Sequence, residues 1–300
     1  MPVTRPRSST ARFEDATTVV ADPDVAGRYL VEMSDQWNAP LIPHGGVATA
    51  VALRAAEAEL GVPGQRLRTV NTVFAGQVRP GPAQIDVNVL RRGRSMSQVV
   101  AHLHNVGAEA GHQVTAVFGA SRVGVEFVDA TPPAAPGPED SEPFRPPDDV
   151  DEYPVNFWEH VEGRLAVGHG WWEEGWAGTS SERAMWYRYV NPPTTAEGHL
   201  DPFALVALCD TMPGAVFERL GHRGWNAYVP SVDLTVHVLQ DAAPGWLLAA
   251  NRARFSGDGY GSVEMELWDP DRGLVAYATQ IMIYSFPDGP PPPEELRVTA

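Results

Sequence analysis

The chain has a single cysteine, Cys209, in 300 residues. A lone thiol excludes an internal disulfide framework and any zinc or iron–sulfur site built on clustered cysteines. Cys209 is expected to be an inert apolar residue of a chain held in the reducing cytoplasm. Positive charge is scarce as well: 22 Lys plus Arg against 38 Asp plus Glu leave a formal charge of −16. That balance argues against a sequence-independent grip on phosphate backbones, so no nucleic-acid partner is expected. No apolar run approaches the roughly 18 residues of a membrane span, and the opening MPVTRPRSSTARF holds no signal-type apolar stretch. G-x-S-x-G, H-E-x-x-H, P-loop and G-x-G-x-x-G patterns are also missing, which removes the usual support for an α/β-hydrolase, a zincin or a common nucleotide fold. No metal site is expected: His102 and His104 would share a strand face but have no third ligand.

Apolar residues make up 43% of the chain and charged residues 20%, enough for a full core. Composition breaks sharply at residues 130–147, where seven prolines oppose both helix and strand and leave an extended, solvated connector. A second proline run at 287–295 closes the structured region near Phe286, ahead of a tail expected to be mobile. The expected organisation is a first half at 1–128, a connector at 129–152, a second half at 153–286 and a tail at 287–300.

The halves repeat one order of elements. In the first, a strand at Arg28 to Met33 precedes an Ala-rich helix opened by His44-Gly45-Gly46 and ended by Gly61. Strands follow at Leu67 to Phe74, Gln84 to Arg91, Ser97 to His104 and Val114 to Phe118. In the second, extended segments at Asn156 to Val161 and Arg183 to Val190 precede a helix capped by Asp201-Pro202 and running through Arg219. Strands are expected at Val229 to Leu239, Trp246 to Ser256, Ser262 to Trp268 and Val275 to Tyr284. Helix start and Pro-Gly turn lie about 36 residues apart in one half (44 to 80) and about 43 in the other (201 to 244), which points to an internal duplication. A central helix wrapped by a mostly antiparallel sheet, twice over, is an α+β double hotdog.

The residues make the comparison specific. LIPHGGVATAVALRAA, Val78-Arg79-Pro80-Gly81 and VNVLRRGRSMSQVVAHLHN resemble the N-terminal half of the acyl-CoA thioesterase II (TesB-like) family. ALVALCD, PSVDLTVHV and AYATQIMIY resemble its C-terminal half, in the family's order, over residues 13–286. The resemblance implies hydrolysis of an acyl-CoA thioester, or of an acyl group on a carrier's phosphopantetheine, without a covalent intermediate. Coenzyme A enters as part of the substrate, and no separate cofactor is implied.

Candidate residues follow from both readings. Asp210 continues the i, i+3, i+4, i+7 stripe through Phe203, Val206 and Ala207, so periodicity places a carboxylate on a buried helix face. Such a group must find donors, raise its pKa or line a wet pocket, and each suits a general base. A purely structural hydrogen bond, or a frayed end near Pro213, is the alternative. The resemblance adds Ser231 and Gln280, which with the aspartate would position the attacking water. Thr235, four residues on, is the competing hydroxyl if the register differs. His44, Gly45 and Gly46 open a helix whose free N–H groups would polarise a thioester carbonyl, although a plain tight turn has the same pattern. His44 is read as a packing or capping residue, and pattern places no histidine beside Asp210; the resemblance implies that the start of the first helix and Asp210 meet across the interface of the halves. Arg91, Arg92 and Arg94 form the densest basic cluster and are candidates for the CoA phosphates, with a solvated turn as the alternative. Trp171, Trp172 and Trp176, in an insertion before the second helix, would cover an acyl tunnel or form an inert lid. An enoyl-thioester hydratase or dehydratase, or a silent acyl-CoA-binding protein, are the competing functions. A homodimer is expected through an exposed edge strand.

Overall fold

The computed structural model describes residues 11–147, 155–222, 227–287 and 289–290. Most of the expected mobile tail, and the last part of the expected connector, lie outside these residues.

The first half comprises a short helix α1 (Phe13–Ala16), strands β1 (Val20–Ala21) and β2 (Arg28–Met33), helix α2 (Gly45–Leu60), and strands β3 (Arg66–Phe74), β4 (Gly81–Arg91), β5 (Met96–Asn105) and β6 (His112–Gly119). The second comprises β7 (Glu142–Pro143), β8 (Val161–Val167), β9 (Glu182–Tyr189), helices α3 (Pro202–Cys209) and α4 (Gly214–Leu220), then β10 (Asp233–Val238), β11 (Leu247–Gly257), β12 (Tyr260–Asp269) and β13 (Gly273–Ile283). All thirteen strands form one sheet in the order β1-β2-β4-β5-β6-β3-β10-β13-β12-β11-β9-β8-β7. Every pairing is antiparallel. Read outward from the β3–β10 junction, the two halves have one order, with β7 added at the second edge. The chain is a double hotdog.

The pseudo-dyad passes between Asn71 and Thr235, which are register partners across the junction, and Asn71 Nδ2 donates to Thr235 Oγ1 at 2.8 Å. On the inner face, α2 buries eleven of its sixteen residues, five of them alanine, so strands and α3 approach it closely on several sides. It ends at Gly61, whose φ of 54° is the left-handed cap conformation glycine adopts without strain. α3 starts as the sequence predicts: the Asp201 side chain accepts from Phe203 N at 2.8 Å and Pro202 occupies the first turn.

Three expectations need correction. Asn156–Glu159 is a 3-10 turn instead of strand, and pairing starts only at β8. The proline-rich connector is not wholly solvated. Ser141 is buried, Pro136 O accepts from Trp186 Nε1, and β7 pairs with β8 at the sheet edge, where a proline's missing donor is tolerated. Finally, among the described residues the outermost strands, β1 and β7, are only two residues long, in place of the exposed edge strand expected.

Candidate active site

The local geometry starts from Pro213. It has no N–H to offer the carbonyl of Cys209, four residues back, and its ring crowds that carbonyl. α3 therefore stops at Cys209 and α4 begins afresh at Gly214. The continuous helix expected from Pro202 to Arg219 is two helices. Asp210 leaves the helix stripe for the cap position, with φ −90° and ψ 28°. Thr211 Oγ1 donates to Leu208 O at 2.8 Å, taking one carbonyl that the break frees. Periodicity is also a poor guide in α3 because Phe203 to Cys209 are all buried.

The break aims the Asp210 carboxylate at the N-terminus of α2. Gly46 N donates to Asp210 Oδ2 at 2.7 Å, Gln280 Nε2 donates to Oδ1, and His44 Nδ1 lies 3.5 Å from Oδ2. The glycine pair is needed for this approach. A Cβ on Gly45 would sit 2.8 Å from Asp210 Oδ2 and 2.9 Å from the Phe74 ring; one on Gly46 would sit 2.8 Å from Ala207 Cα. The close approach expected of a substrate carbonyl to Gly46 is thus made by the carboxylate itself.

The side chain of Asp210 is only 8% exposed. Burial raises its pKa above the ordinary carboxylate value, while His44, the Gly46 N–H and the Gln280 amide pull it back. The positive end of α2 also favours the anion, and the negative end of α3 opposes it. Burial lowers the pKa of His44, against the pull of Asp210. Its ring lies flat on Phe157, centroids 4.2 Å apart and planes 15° from parallel.

Ser231 and Thr235 part company on register. Thr235 pairs with Thr279 across β10 and β13, whereas Ser231 pairs with Met282. Four residues on one strand therefore oppose three on the other, an irregularity that turns Ser231 onto the face of its cross-strand partner Met282. Met282 and Gln280 are both buried on the inner face. Thr235 faces outward, bonded to Asn71.

Other expected residues lie elsewhere. Arg92 Nη2 donates to Glu59 O at 2.7 Å, holding the C-terminal turn of α2, so the Arg91 to Arg94 cluster is at the far end of a sixteen-residue helix, about 24 Å long. Arg91 and Arg94 are exposed. Trp176 stacks on His169 at 4.1 Å, and Trp172 meets Phe144 at 5.3 Å. The insertion is pinned on α4 by buried Glu218, which accepts from His169 N and Nδ1, each at 2.9 Å, and from Arg183. His102 and His104 stack on each other, and His104 Nε2 is 3.3 Å from Asp86. Among the described residues no group of three or more His, Cys, Asp and Glu side chains is placed to hold a metal ion. Cys209 is buried and unpaired, and burial pushes its thiol pKa far up.

Sequence reasoning missed two features. It brought the start of the first helix to Asp210 through the resemblance, as Gly46 shows, but placed no histidine there, because His44 precedes Asp210 by 166 positions and reaches it only through the packing of α2 on α3. It read Phe157 as a strand residue, with no signal that it would support His44.

Among the described residues the dyad leaves one such site. Thr72 pairs with Val114 and its counterpart Val236 with Ala278, so Gln280 corresponds to Ala116. At the helix start matching His44 stands Asp201, bound to Arg54 of α2. The duplicated position holds an ion pair and no amide.

Models of the acyl-CoA thioesterase N-terminal and C-terminal domains match residues 33–122 and 138–284. A comparison with curated proteins gives no match. Among solved structures, a hotdog-fold protein of unknown function from Alicyclobacillus acidocaldarius is 26% identical, with a TM-score of 0.78, covering 93% of this chain and all of that one. The acyl-CoA thioesterase II TesB2 of Mycobacterium marinum is 19% identical, with a TM-score of 0.72, covering 93% and 100%. The dehydratase domain of RzxB from Pseudomonas fluorescens is 15% identical, with a TM-score of 0.52, covering 89% and 96%. The last two likenesses are of fold. With both domain models matched in order over residues 33–122 and 138–284, the chain belongs to the acyl-CoA thioesterase II (TesB-like) family and is a thioester hydrolase.

Proposed function

We propose that Asp210 is the general base of a direct hydrolysis. Water adds through oxygen to the thioester carbonyl carbon as its proton passes to Asp210. The tetrahedral oxyanion then collapses, the C–S bond breaks, and the thiolate leaves with that proton, giving a carboxylic acid and a free thiol. Gln280 and Ser231 orient the water. Gln280 Oε1 is buried without a hydrogen-bond partner among the described residues and supplies an acceptor for it. The oxyanion donor is the N–H of Gly45, for which no hydrogen bond is found among the described residues, since Gly46 is committed to Asp210.

The observation that carries this reading is the buried Asp210 carboxylate, held between a helix N-terminus and a strand amide. The substrate is an acyl-CoA or an acyl-phosphopantetheine in the cytoplasm. Arg91 and Arg94 receive the CoA phosphates if the phosphopantetheine arm lies extended along α2. The reaction as written needs no further cofactor. Thiol release from a panel of acyl-CoAs, lost in Asp210→Asn, tests it. Absence of release, or release unchanged in that variant, overturns it.

The 3.5 Å approach of His44 to Asp210 favours a second reading, an enoyl-thioester hydratase or dehydratase, which needs an acid and a base together. Reversible water addition to an enoyl-CoA, with the thioester left intact, identifies that activity.

A further inference from the structure

After β6 the chain leaves the sheet as an extended arm. Ala120 N donates to Ser95 O at 3.0 Å, and among the described residues no backbone group from Ser121 to Ala135 makes a hydrogen bond. Val123, Val125, Phe127 and Val128 are 105, 89, 81 and 63% exposed. Four large apolar side chains within six residues, on backbone free to pair, are the makings of an interface strand. Leu90 and Met96, also exposed, lie at the same end of the sheet, because Met96 pairs with Gly119 at the root of the arm.

We propose that this arm pairs antiparallel with the same arm of a second copy, about a two-fold axis through Gly124. The sequence Arg122-Val123-Gly124-Val125-Glu126 is self-complementary in that register. Arg122 of each copy stands opposite Glu126 of the other, Val123 opposite Val125, and the two Gly124 residues face each other on the axis. Charge complementarity thus selects a second copy of this chain. A partner of other sequence would have to supply the same alternation. Two paired strands alone are marginal in water, so the apolar surface at Leu90 and Met96 is part of the same contact. The short edges of the sheet have no role in it.

Sedimentation of the full chain at micromolar concentration tests the pairing. The wild type is expected to be a dimer. Arg122→Glu and Glu126→Arg, each placing like charges face to face, are each expected to weaken association about tenfold or more. An equimolar mixture of the two variants restores opposite pairs and a heterodimer, and the double exchange restores the homodimer. Gly124→Cys, with Cys209 buried and out of reach, is expected to form an interchain disulfide under mild oxidation. A monomeric wild type, meaning that the arm folds back on its own chain, overturns the proposal. So do single variants that associate as the wild type does, or a failure of Gly124→Cys to cross-link. All of these changes are at exposed positions, so loss of fold does not confound the result.

Discussion

The N–H of Gly46 donates to Asp210 Oδ2 across 2.7 Å, and with that bond the first half of the chain holds the carboxylate of the second. The bond partly offsets the cost of burying Asp210. Because burial wins, the folded chain binds the Asp210 proton more tightly than the unfolded chain does. Ionisation therefore costs stability as pH rises from the ordinary carboxylate pKa through the raised one, and that cost persists at neutral pH. Asp210→Asn keeps the shape and an acceptor for Gly46 but removes the charge. Its melting temperature at pH 7 is expected to rise by about 2–4 °C while thiol release falls by about 10³-fold. The gain should vanish below the ordinary carboxylate range, where wild-type Asp210 is protonated in both states. A lower melting temperature at pH 7 would show the carboxylate to be net stabilising.

The same shift sets the pH profile. The base works only when ionised, so kcat/KM is expected to fall toward acid on a limb lying above the ordinary carboxylate pKa of about 4. The Gln280 amide lowers the pKa of Asp210 by donating to it. Gln280→Ala should therefore move the limb to higher pH, in addition to lowering kcat by about 10²-fold. A profile measured on both proteins separates this role from simple packing, which would lower the rate without moving the limb.

Register decides between the two hydroxyls. Ser231→Ala is expected to lower kcat roughly tenfold or more with little change in stability. Thr235→Val should leave kcat unchanged and cost about 1 kcal/mol, the worth of its bond to Asn71 at the junction of the halves. The opposite pattern in steady-state kinetics would place Thr235 at the water and refute the inward turn of Ser231.

Gly46→Ala tests how closely the helices must approach. The new methyl would lie 2.8 Å from Ala207 Cα and 3.0 Å from Ala207 O, main-chain atoms that cannot rotate away. Separating α2 from α3 is expected to cost about 1–3 kcal/mol in denaturant unfolding and to stretch the bond to Asp210, with loss of most activity. Unchanged activity would mean that the carboxylate does not depend on this bond.

Much of this was legible in the sequence, for physical reasons that differ by element. Asp201-Pro202 and Gly61 mark helix ends because their chemistry is local. The strands follow β-propensity and Pro-Gly or Asp-Gly turns, and the duplication follows from their order. The conformation at Asp210 did not follow from the helix stripe, since α3 is apolar all round; it is the alternative, a helix end set by Pro213, that the structure shows. The inward turn of Ser231 arises from a one-residue irregularity between β10 and β13, which periodicity of two cannot show. The meeting of His44 with Asp210 and Phe157 depends on how α2, α3 and the turn at Asn156–Glu159 pack, a long-range fact with no local signal.

Pro213 offers the most direct test of how the fold makes the site. With alanine there, the residue regains an N–H for the carbonyl of Cys209, and nothing in the backbone then stops α3 from continuing through Asp210 into α4. Continuation would rotate the carboxylate off the N-terminus of α2 and away from Gln280. Pro213→Ala is therefore expected to leave thermal stability unchanged or slightly higher, to raise helix content by about one turn in circular dichroism, and to lower kcat by about 10²-fold. Loss of activity through general unfolding would show as a fall in melting temperature instead. If activity and helix content both stay as in the wild type, packing of α2 against Asp210 maintains the break, and the proline only permits it.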